Sequence, residues 1–577
     1  MLKLEELKIK GAAPNWLTIE GLKTLEGSYL YEEETPTDMY RRIARAAARI
    51  LRKPDLENKF YMYLFNGWLC PASPVLSNFG LDRGLPISCY SSYVNDSIDG
   101  IFSAVSEVAH MSKHGGGTSF YVSDIRGRGS PISGGGKSEG VVPWLKVFDS
   151  TTLAINQGGM RKGSAAGYLR IDHKDIEEFI YLRKPQADIN RQCLNIHHGV
   201  CITDAFMESI IKGDAKNRDL WKILLKTRVY LGEPYIIFID TVNKNNPECY
   251  KKNNLSVKGS NLCSEITLHL DDDHSFVCCL SSVNLTKYDE WKNTDLVETA
   301  IWFLDAIMQE FIDKTDGMKG LERARRFAIK SRALGLGVLG WHSFLQSKMI
   351  PFDSLMATNY NKVIFKQIRE QAEKATADLA KEYGEPEWCK GFGRRNTHLI
   401  APAPTVSNAT ISGNVSPSIE PLTGNSFTKK TAKGSFIQKN IYLEKLLIEK
   451  KQNTDDVWSL ITQHAGSVQN LDFLTEKEKD IFKTAREIDQ FAIINQAADR
   501  QTYIDQSQSL NLFFNPGVEP KLVHKLHLHA WKRGIKSLYY VRTGSSLKGD
   551  TASRGMNTEK EVEVKKSESS ECKSCEG

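Results

Sequence analysis

The chain lacks any long apolar run. None of its 577 residues fall in a stretch that approaches the roughly 18 consecutive apolar residues of a membrane helix. The first ten residues, MLKLEELKIK, alternate charge with leucine and lack the apolar core of a signal peptide. We therefore expect a cytoplasmic protein with no membrane partner.

An excess of one charge is also missing. The sequence has 76 Lys+Arg against 70 Asp+Glu, a formal net charge of +6. Such a small excess argues against nucleic acid as a direct partner. The composition, 41% hydrophobic and 25% charged, is that of a globular protein. By length, about four domains or one unusually large domain are expected.

A disulfide framework is not expected, because the eleven cysteines are odd in number and nothing marks the chain for export. No set of metal ligands is predicted either. Cys572 and Cys575 form a single CxxC pair, and a second pair that could complete a zinc site is missing. We interpret this pair as redox-active. The GGGKS run at 134–138 has Pro131 where a P-loop needs glycine, which indicates a turn.

Four regions differ in pattern. Residues 1–70 form an N-terminal helical segment, in which Thr35 and Pro36 are typical of a helix start. Residues 71–440 alternate strand-like runs with helical stretches, which predicts a large α/β domain. Residues 441–547 are predicted to be a small helical region that ends in a strand at 535–543. The last segment, 548–577, is charged, contains little to bury and is predicted to be a disordered tail.

The segment Asn261-Leu262-Cys263-Ser264-Glu265 carries the most chemical information. In an extended conformation, the side chains of Asn261, Cys263 and Glu265 point to one face, since the strand period is two. An amide, a thiol and a carboxylate would then lie side by side. Alone, such a pattern is more often a strand with a buried cysteine, so its interpretation depends on the rest of the chain.

The chain resembles the large, catalytic subunit of class I ribonucleotide reductases from about residue 28 to 545, and again in its tail. Besides NLCSE and the CxxC end, the resemblance rests on ordered motifs: SPVLSN (73–78), SCY (88–90), NDSIDGI (95–101), GGGTSFYVSDIRGRGSPI (115–132), NQGGMRKGSAA (156–166), CCLSSVNL (278–285), PAPTVSNATISG (402–413) and SLYYVRT (537–543). It implies a ten-stranded α/β barrel with a central finger loop that carries Cys263.

The resemblance also implies roles for individual residues. Cys263 would become a thiyl radical that abstracts the ribose 3′-hydrogen of a nucleoside diphosphate. Glu265 would act as general base on the 3′-hydroxyl, and Asn261 would hydrogen-bond the sugar hydroxyls. Cys89 and Cys278 would reduce the 2′-position and end as a disulfide. Cys279 would point to the opposite face of its strand.

Substrate and effector residues are implied in the same way. The substrate set is Ser73, Ser88, Gly117, Pro404, Thr405, Val406, Ser407 and Asn408, of which the last five are expected to open a helix and hold phosphate. The specificity effectors, dNTPs or ATP, would bind near Asp96, Ser97, Ile98, Arg126, Gln157 and Arg161. The family often has a second arginine where this chain has Ser133.

Two further pairs complete the resemblance. Tyr539 and Tyr540 match the dyad that passes a radical to the active-site cysteine, and Cys572 and Cys575 match a thiol shuttle. A tail of about 30 residues has a flexible reach of roughly 30 Å. Adenosylcobalamin-dependent class II reductases, the main alternative, do not need the dyad. A reductase-like scaffold without activity is the other alternative.

The implied assembly is a homodimer that works with a separate small subunit, which holds the metal cofactor and generates the radical. This chain itself is expected to bind no cofactor, and thioredoxin or glutaredoxin is the expected reductant. The start of the sequence lacks the basic β-hairpin of an ATP-cone, the regulatory domain that precedes many family members. We therefore expect dATP to change substrate choice without shutting the enzyme down.

Overall fold

The computed structural model describes residues 2–157, 161–185, 188–431 and 434–544. The expected shuttle pair, Cys572 and Cys575, lies outside the described residues. No helix in the described part of the chain is long and apolar enough to cross a membrane.

The N-terminal region is helical, as predicted. Thr35 caps the third helix through a capping box with Asp38, and Pro36 occupies its first position. This helix buries one face, including Met39 and Ile43, against the rest of the protein. The four helices are α1 (Leu2–Ile9), α2 (Ile19–Ser28), α3 (Pro36–Ile50) and α4 (Leu56–Phe65).

A mixed sheet forms the centre of the molecule. In the described chain, nine strands hydrogen-bond into this sheet, and a bridge from Leu336 to Ile400 extends its edge. The strands are β1 (Leu69–Pro71), β2 (Cys89–Tyr93), β3 (Gly117–Tyr121), β6 (Ala165–Arg170), β7 (Ile196–Ile202), β8 (Tyr235–Phe238), β9 (Phe276–Asn284), β10 (Leu334–Leu339) and β14 (Ser537–Leu538); short pairs elsewhere are β4 (Asn156–Gln157), β5 (Arg161–Lys162), β11 (Ser426–Thr431), β12 (Gly434–Lys439), β13 (Leu512–Phe514) and β15 (Val541–Thr543).

The order of the sheet is set by its longest strand, β9. Its first half pairs antiparallel with β2 and its second half antiparallel with β1, while β10 pairs in parallel along the other side. Strands β2, β3, β6, β7 and β8 then follow in parallel, and β14 closes the series antiparallel to β8. Parallel strands need long crossovers, which the intervening helices supply.

Helices cover this sheet on its outside. Helix α14 (Leu296–Lys314) is buried over most of its length, and it contacts β9 and β10 with a nearly continuous apolar surface. The others in this region are α5 (Ser73–Asn78), α6 (Ile98–Lys113), α7 (Val141–Ala154), α8 (Ile176–Ile180), α9 (Asp204–Lys212), α10 (Ala215–Leu231), α11 (Ile239–Lys244), α12 (Glu248–Lys252), α13 (Tyr288–Trp291), α15 (Glu322–Ser331), α16 (Trp341–Ser347), α17 (Leu355–Tyr383) and α18 (Val406–Ile411).

The C-terminal region adds five helices: α19 (Ile441–Glu449), α20 (Asp455–Gln463), α21 (Glu476–Ile481), α22 (Gln490–Gln501) and α23 (Pro520–Lys532). The single strand predicted over 535–543 is wrong. The chain leaves the main sheet after Leu538, passes through Tyr539 and Tyr540, and joins β13 as the separate strand β15. This break places the two tyrosines between sheets.

Candidate active site

The loop of residues 261–265 is buried, and its backbone is turned rather than extended. Ser264 adopts a left-handed backbone with φ of 67°, and its N–H donates to the Asn261 carbonyl at 3.3 Å. The turn still brings the side chains of Asn261 and Glu265 together, because residues four apart meet across it. The loop expected for Cys263 is therefore present, but as a tight turn.

Asn261 connects the groups of this loop. Its Nδ2 donates to Glu265 Oε1 at 2.9 Å and lies 3.2 Å from the Cys89 sulfur. Its Oδ1 accepts the Ile266 N–H at 3.1 Å, and its carbonyl accepts from the Tyr168 hydroxyl at 2.5 Å. The amide is thus fixed from both ends, and it presents its N–H groups to a carboxylate and a thiol.

Glu265 is fully buried, and burial raises its pKa to about 7. Hydrogen bonds from its own backbone N–H, Asn261 and Ser509 oppose this shift because they stabilise the charged form. The Ser509 hydroxyl lies 3.0 Å from Oε2 and 2.7 Å from the Cys263 carbonyl. A carboxyl group with a pKa near neutrality can accept or release a proton at physiological pH.

Cys89 and Cys278 face each other across neighbouring strands. They are direct partners in the antiparallel register of β2 and β9, a spacing that suits a disulfide, and both are in the reduced, thiol form here. The Cys89 sulfur lies 3.8 Å from Glu265 Oε1, so the pair borders the loop. Cys279 points away, with its sulfur 3.4 Å from the Leu304 carbonyl behind the sheet.

Gln506 supports Cys278. Its amide Nε2 lies 3.6 Å from the Cys278 sulfur, and its Oε1 accepts the Thr267 N–H at 3.1 Å. Burial raises the pKa of Cys278 well above its usual range, which keeps this thiol protonated until it reacts.

Tyr539 and Tyr540 lead from this centre outward. The Tyr539 hydroxyl lies 3.5 Å from the Cys263 sulfur, and the two tyrosine ring centroids are 4.2 Å apart. Both rings are buried, and the Arg542 guanidinium lies over the Tyr540 ring at 4.3 Å. The structure therefore joins the adjacent tyrosines to the cysteine as one continuous series of contacts.

The segment 404–408 begins α18, as the phosphate prediction requires. Thr405 is the N-cap, and its hydroxyl accepts the Ser418 N–H at 2.8 Å. The Asn408 amide donates to the Pro71 carbonyl at 2.9 Å, which ties this helix to β1. Asn408 Oδ1 and Ser88 Oγ are buried without a hydrogen-bond partner in the described chain. Buried polar atoms of this kind are free to bind a ligand.

Two other members of the predicted substrate set have structural partners. The Ser73 hydroxyl lies 2.9 Å from the Tyr29 hydroxyl, and the Gly117 N–H donates to the Ser88 carbonyl at 2.8 Å. Gly117 also pairs with Cys89 in the register of β2 and β3. Pro404, Val406 and Ser407 adjoin Thr405 at the start of α18.

Four of the predicted effector residues are partly or fully exposed: Asp96, Ser97, Ile98 and Arg126. Arg126 Nε donates to Asp96 Oδ2 at 2.7 Å, and Ser97 caps α6 through a 3.0 Å bond from Gly100 N–H. Ile98 is 60% exposed. Gln157 and Arg161 pair through their backbones in β4 and β5.

Sequence reasoning missed Ser509, Gln506 and Tyr168, although all three contact the site. Ser509 and Gln506 belong to the run Asp505–Asn511, which is polar in sequence and almost entirely buried in the structure.

Sequence reasoning also did not identify the cluster of His269, Asp271 and His274, whose ligand atoms lie within 4.8 Å of one another. Asp271 accepts a hydrogen bond from each histidine at 2.9 Å, so a hydrogen-bonded triad accounts for this cluster.

Known proteins match this chain along most of its length. Residues 87–217, 209–392 and 387–541 match the model of the ribonucleotide reductase barrel domain, and residues 15–84 match that of the ribonucleotide reductase all-alpha domain. The chain therefore belongs to the large-subunit family of the ribonucleotide reductases.

Individual relatives agree with this assignment. The putative ribonucleoside-diphosphate reductase large subunit of Frog virus 3 is 41% identical over 541 residues, which cover 91% of this chain and 93% of the relative. The large subunit of Invertebrate iridescent virus 3 is 37% identical, with 92% and 94% covered. The solved class Id ribonucleotide reductase alpha subunit of Actinobacillus ureae is 44% identical, with a TM-score of 0.86 and coverage of 94% and 99%.

These findings confirm the predicted barrel fold and the predicted activity, the reduction of ribonucleoside diphosphates by an oxidoreductase. They do not favour the cobalamin-dependent alternative.

Proposed function

We propose that the buried loop and its neighbours convert a nucleoside diphosphate to its 2′-deoxy form by a thiyl-radical mechanism. The observation that carries the proposal is the contact series from Tyr540 through Tyr539 to Cys263, with Glu265, Asn261 and Cys89 around the same loop. Cys263 abstracts the 3′-hydrogen, Glu265 takes the proton of the 3′-hydroxyl, and Asn261 holds the sugar hydroxyls.

The reduction itself uses two thiols. Cys89 and Cys278 supply two hydrogens, the 2′-hydroxyl leaves as water, and the two sulfurs join as a disulfide. Cys263 then returns the hydrogen to the 3′-carbon and regains its radical. The cross-strand register supports this pairing because the two cysteines are already opposite each other.

The radical reaches Cys263 by two hydrogen-atom exchanges. A phenoxyl radical on Tyr540 takes the hydroxyl hydrogen of Tyr539, and the resulting Tyr539 radical takes the hydrogen of the Cys263 thiol. Each step breaks one O–H or S–H bond and forms one O–H bond. The first oxidation of Tyr540 needs an oxidised residue from outside this chain. We assign it to a small subunit whose metal cofactor generates the radical, in a complex with a dimer of this chain.

Ser73, Ser88, Gly117 and the start of α18 bind the substrate in this proposal, and the phosphates lie near Thr405 and Asn408. The unpartnered Ser88 Oγ and Asn408 Oδ1 support it. The dNTP or ATP effectors bind near Asp96 and Arg126. This chain needs no metal or organic cofactor of its own for these steps.

The experiment is an assay of dCDP formation by the purified chain with its small subunit, CDP, an effector and a dithiol. Tyr540→Phe should abolish turnover because phenylalanine cannot form a phenoxyl radical, while CDP binding persists. Turnover without a small subunit, when adenosylcobalamin is added, would instead identify a class II enzyme. Near-normal turnover by Tyr540→Phe would refute the proposed radical route.

The tail prediction concerns how the Cys89–Cys278 disulfide is reduced. Cys572 and Cys575 are proposed to exchange with it and then with thioredoxin or glutaredoxin in a reducing cytoplasm. Changing both to serine should leave one turnover intact and stop further turnover with a protein reductant, with partial rescue by dithiothreitol. Rapid-quench measurement of the first turnover checks this. Loss of that first turnover would show that these thiols have another role.

A further inference from the structure

A third tyrosine lies against the dyad. Tyr235 of β8 is fully buried, and its hydroxyl donates a hydrogen bond to the Tyr540 hydroxyl oxygen at 2.9 Å. Its ring centroid lies 4.8 Å from that of Tyr539 and 5.1 Å from that of Tyr540. Tyr235 is therefore in contact with both rings while lying about 300 residues away in sequence.

His197 is a second polar group beside the Tyr540 hydroxyl, with Nδ1 at 3.4 Å. The same Nδ1 lies 3.1 and 3.2 Å from the two carboxylate oxygens of Glu233. Burial would raise the pKa of Glu233, but the charges of Arg183 and His197 lower it well below its usual range. Glu233 is therefore ionised.

An ionised carboxylate only accepts hydrogen bonds, so the hydrogen on His197 Nδ1 points to Glu233. Nδ1 then has no lone pair with which to accept the hydrogen of Tyr540. Arg183 Nε, 3.0 Å from Glu233 Oε1, fixes the carboxylate in this arrangement. Between Tyr235 and His197, Tyr235 makes the shorter hydrogen bond to the Tyr540 oxygen and donates it.

We propose that Tyr235 is a positioning residue of the radical route, whose donated hydrogen bond holds the Tyr540 oxygen against Tyr539 in both the phenol and the phenoxyl form. This inference rests on the proposed role of Tyr540. A phenoxyl oxygen keeps its lone pairs and still accepts a hydrogen bond, so the contact survives the loss of the Tyr540 hydrogen. The distance between Tyr540 and Tyr539 is then the same before and after oxidation.

The test places 3-aminotyrosine at position 540 in the complete complex with small subunit, CDP and effector. Aminotyrosine is oxidised more easily than tyrosine, so the radical accumulates there. Electron–nuclear double resonance in H2O and D2O detects an exchangeable hydrogen bonded to the radical oxygen. The radical route itself places the Tyr539 hydroxyl hydrogen at the same oxygen, so we expect two such couplings with Tyr235 present and one in Tyr235→Phe, which keeps the ring. The same two couplings in Tyr235→Phe would overturn the inference.

Kinetics of the otherwise unmodified enzyme give a second readout. Tyr235→Phe should lower kcat roughly tenfold, the effect of one lost hydrogen bond, with an unchanged KM for CDP. Tyr250→Phe is the matched control, because Tyr250 is an equally buried tyrosine whose hydroxyl accepts the His269 N–H. An equal fall in both variants, or none in Tyr235→Phe, would overturn the positioning role.

The experiments distinguish the proposed role of Tyr540 from the proposed role of Tyr235. If aminotyrosine at position 540 traps no radical even with Tyr235 in place, the role of Tyr540 is wrong and the inference falls with it. If the radical forms but is insensitive to Tyr235→Phe, the radical route stands and only the role of Tyr235 is lost.

Discussion

The proposed catalytic loop and the proposed effector face differ in how many of their polar groups are already hydrogen-bonded within the protein. Around residues 261–265, the polar side chains of Asn261 and Glu265 are buried and bonded to each other, to Ser509 and to Cys89. At the effector face, Asp96 and Arg126 form one ion pair, and about a third of each side chain is exposed.

The first site is therefore preorganised, whereas the second can rearrange when a ligand binds. Hydrogen bonds within the fold hold Asn261 and Glu265 in place, so the proposed reaction needs no rearrangement of these groups. The charged groups of Asp96 and Arg126 remain accessible to solvent. In the proposed function, a nucleotide can therefore replace their ion pair with its own contacts and change the surrounding loops. Substitutions should accordingly have large effects on rate at the first site and small effects on basal rate at the second.

The largest effect is expected for Cys263→Ser. A serine hydroxyl cannot replace the thiol, because its O–H bond is too strong to exchange hydrogen with a sugar C–H bond. Turnover should fall to the detection limit in the dCDP assay. Cys279→Ser is the matched control, since it is buried behind the same sheet and faces away from the loop. It should lose some stability and keep most of its specific activity; equal inactivation of both would contradict the assignment.

Glu265→Gln should lower kcat by about 100-fold or more, the usual contribution of a general base. With Glu265, kcat/KM should rise with pH through an apparent pKa of about 7, as the carboxyl loses its proton. Glu265→Asp should retain this rise and Glu265→Gln should lose it. A pH–rate profile of the three proteins checks this, and an unchanged profile in the glutamine variant would exclude Glu265 as the base.

The same carboxyl group affects stability in the opposite sense. Its pKa rises from 4.5 to about 7 on folding, so the folded state binds more protons between these values. The free energy of unfolding should fall as the pH rises through this window. Glu265→Gln removes that loss and should be more stable at pH 8, by up to about 3 kcal/mol. Urea titrations at pH 5 and pH 8 measure the difference, which should disappear at pH 5.

A smaller effect is expected for Ser509→Ala. Losing this hydrogen bond removes one of the groups that stabilise charged Glu265, so the pKa of the carboxyl should rise by about one unit. The rise of kcat/KM with pH should move upward accordingly, with a several-fold loss of rate at pH 7. Ser507→Ala is the control, because its hydroxyl contacts Ser537 and its backbone N–H donates to the backbone carbonyl of Glu265, not to the carboxylate. Identical profiles for the two variants would contradict this role.

The smallest effect on basal rate is expected for Arg126→Ala. The exposed ion pair with Asp96 contributes about 0–1 kcal/mol to stability, so rate without effector should be unchanged. The concentration of dNTP needed to change substrate preference should rise at least tenfold. Arg170→Ala, which removes a similar exposed pair with Asp172, should leave the effector response intact. A normal response in Arg126→Ala would place the effector elsewhere.

Parts of the fold and of the proposed site were predictable from local pattern. The capping of α3 followed from Thr35, Pro36 and Asp38, because capping involves residues a few positions apart. The opposite orientation of Cys278 and Cys279 followed from the two-residue period of a strand. Motif resemblance then identified which cysteine faces the site, although the pairing of Cys89 with Cys278 spans nearly 200 residues.

Two features of the backbone could not be predicted from local sequence pattern. The alternation in NLCSE is equally compatible with a strand, and only the left-handed Ser264 turns it into a loop. The run through SLYYVRT has continuous strand propensity, yet its ends pair with different strands, β8 and β13. Propensity describes a segment alone, whereas pairing depends on which strands the rest of the fold places nearby.

The sequence by itself determined the residue types and the motifs that identify the reaction, because cysteine, glutamate and tyrosine carry their chemistry wherever they lie. The tertiary structure decided which groups support them. Ser509 and Gln506 belong to segments far from Cys263 in the chain, and Tyr235 is about 300 residues from Tyr540, so their roles arise from hydrogen bonds across the fold. The tertiary structure also sets the pKa of Glu265. Burial is a property of the whole fold, and it raises this pKa to about 7 because it removes the carboxylate from water.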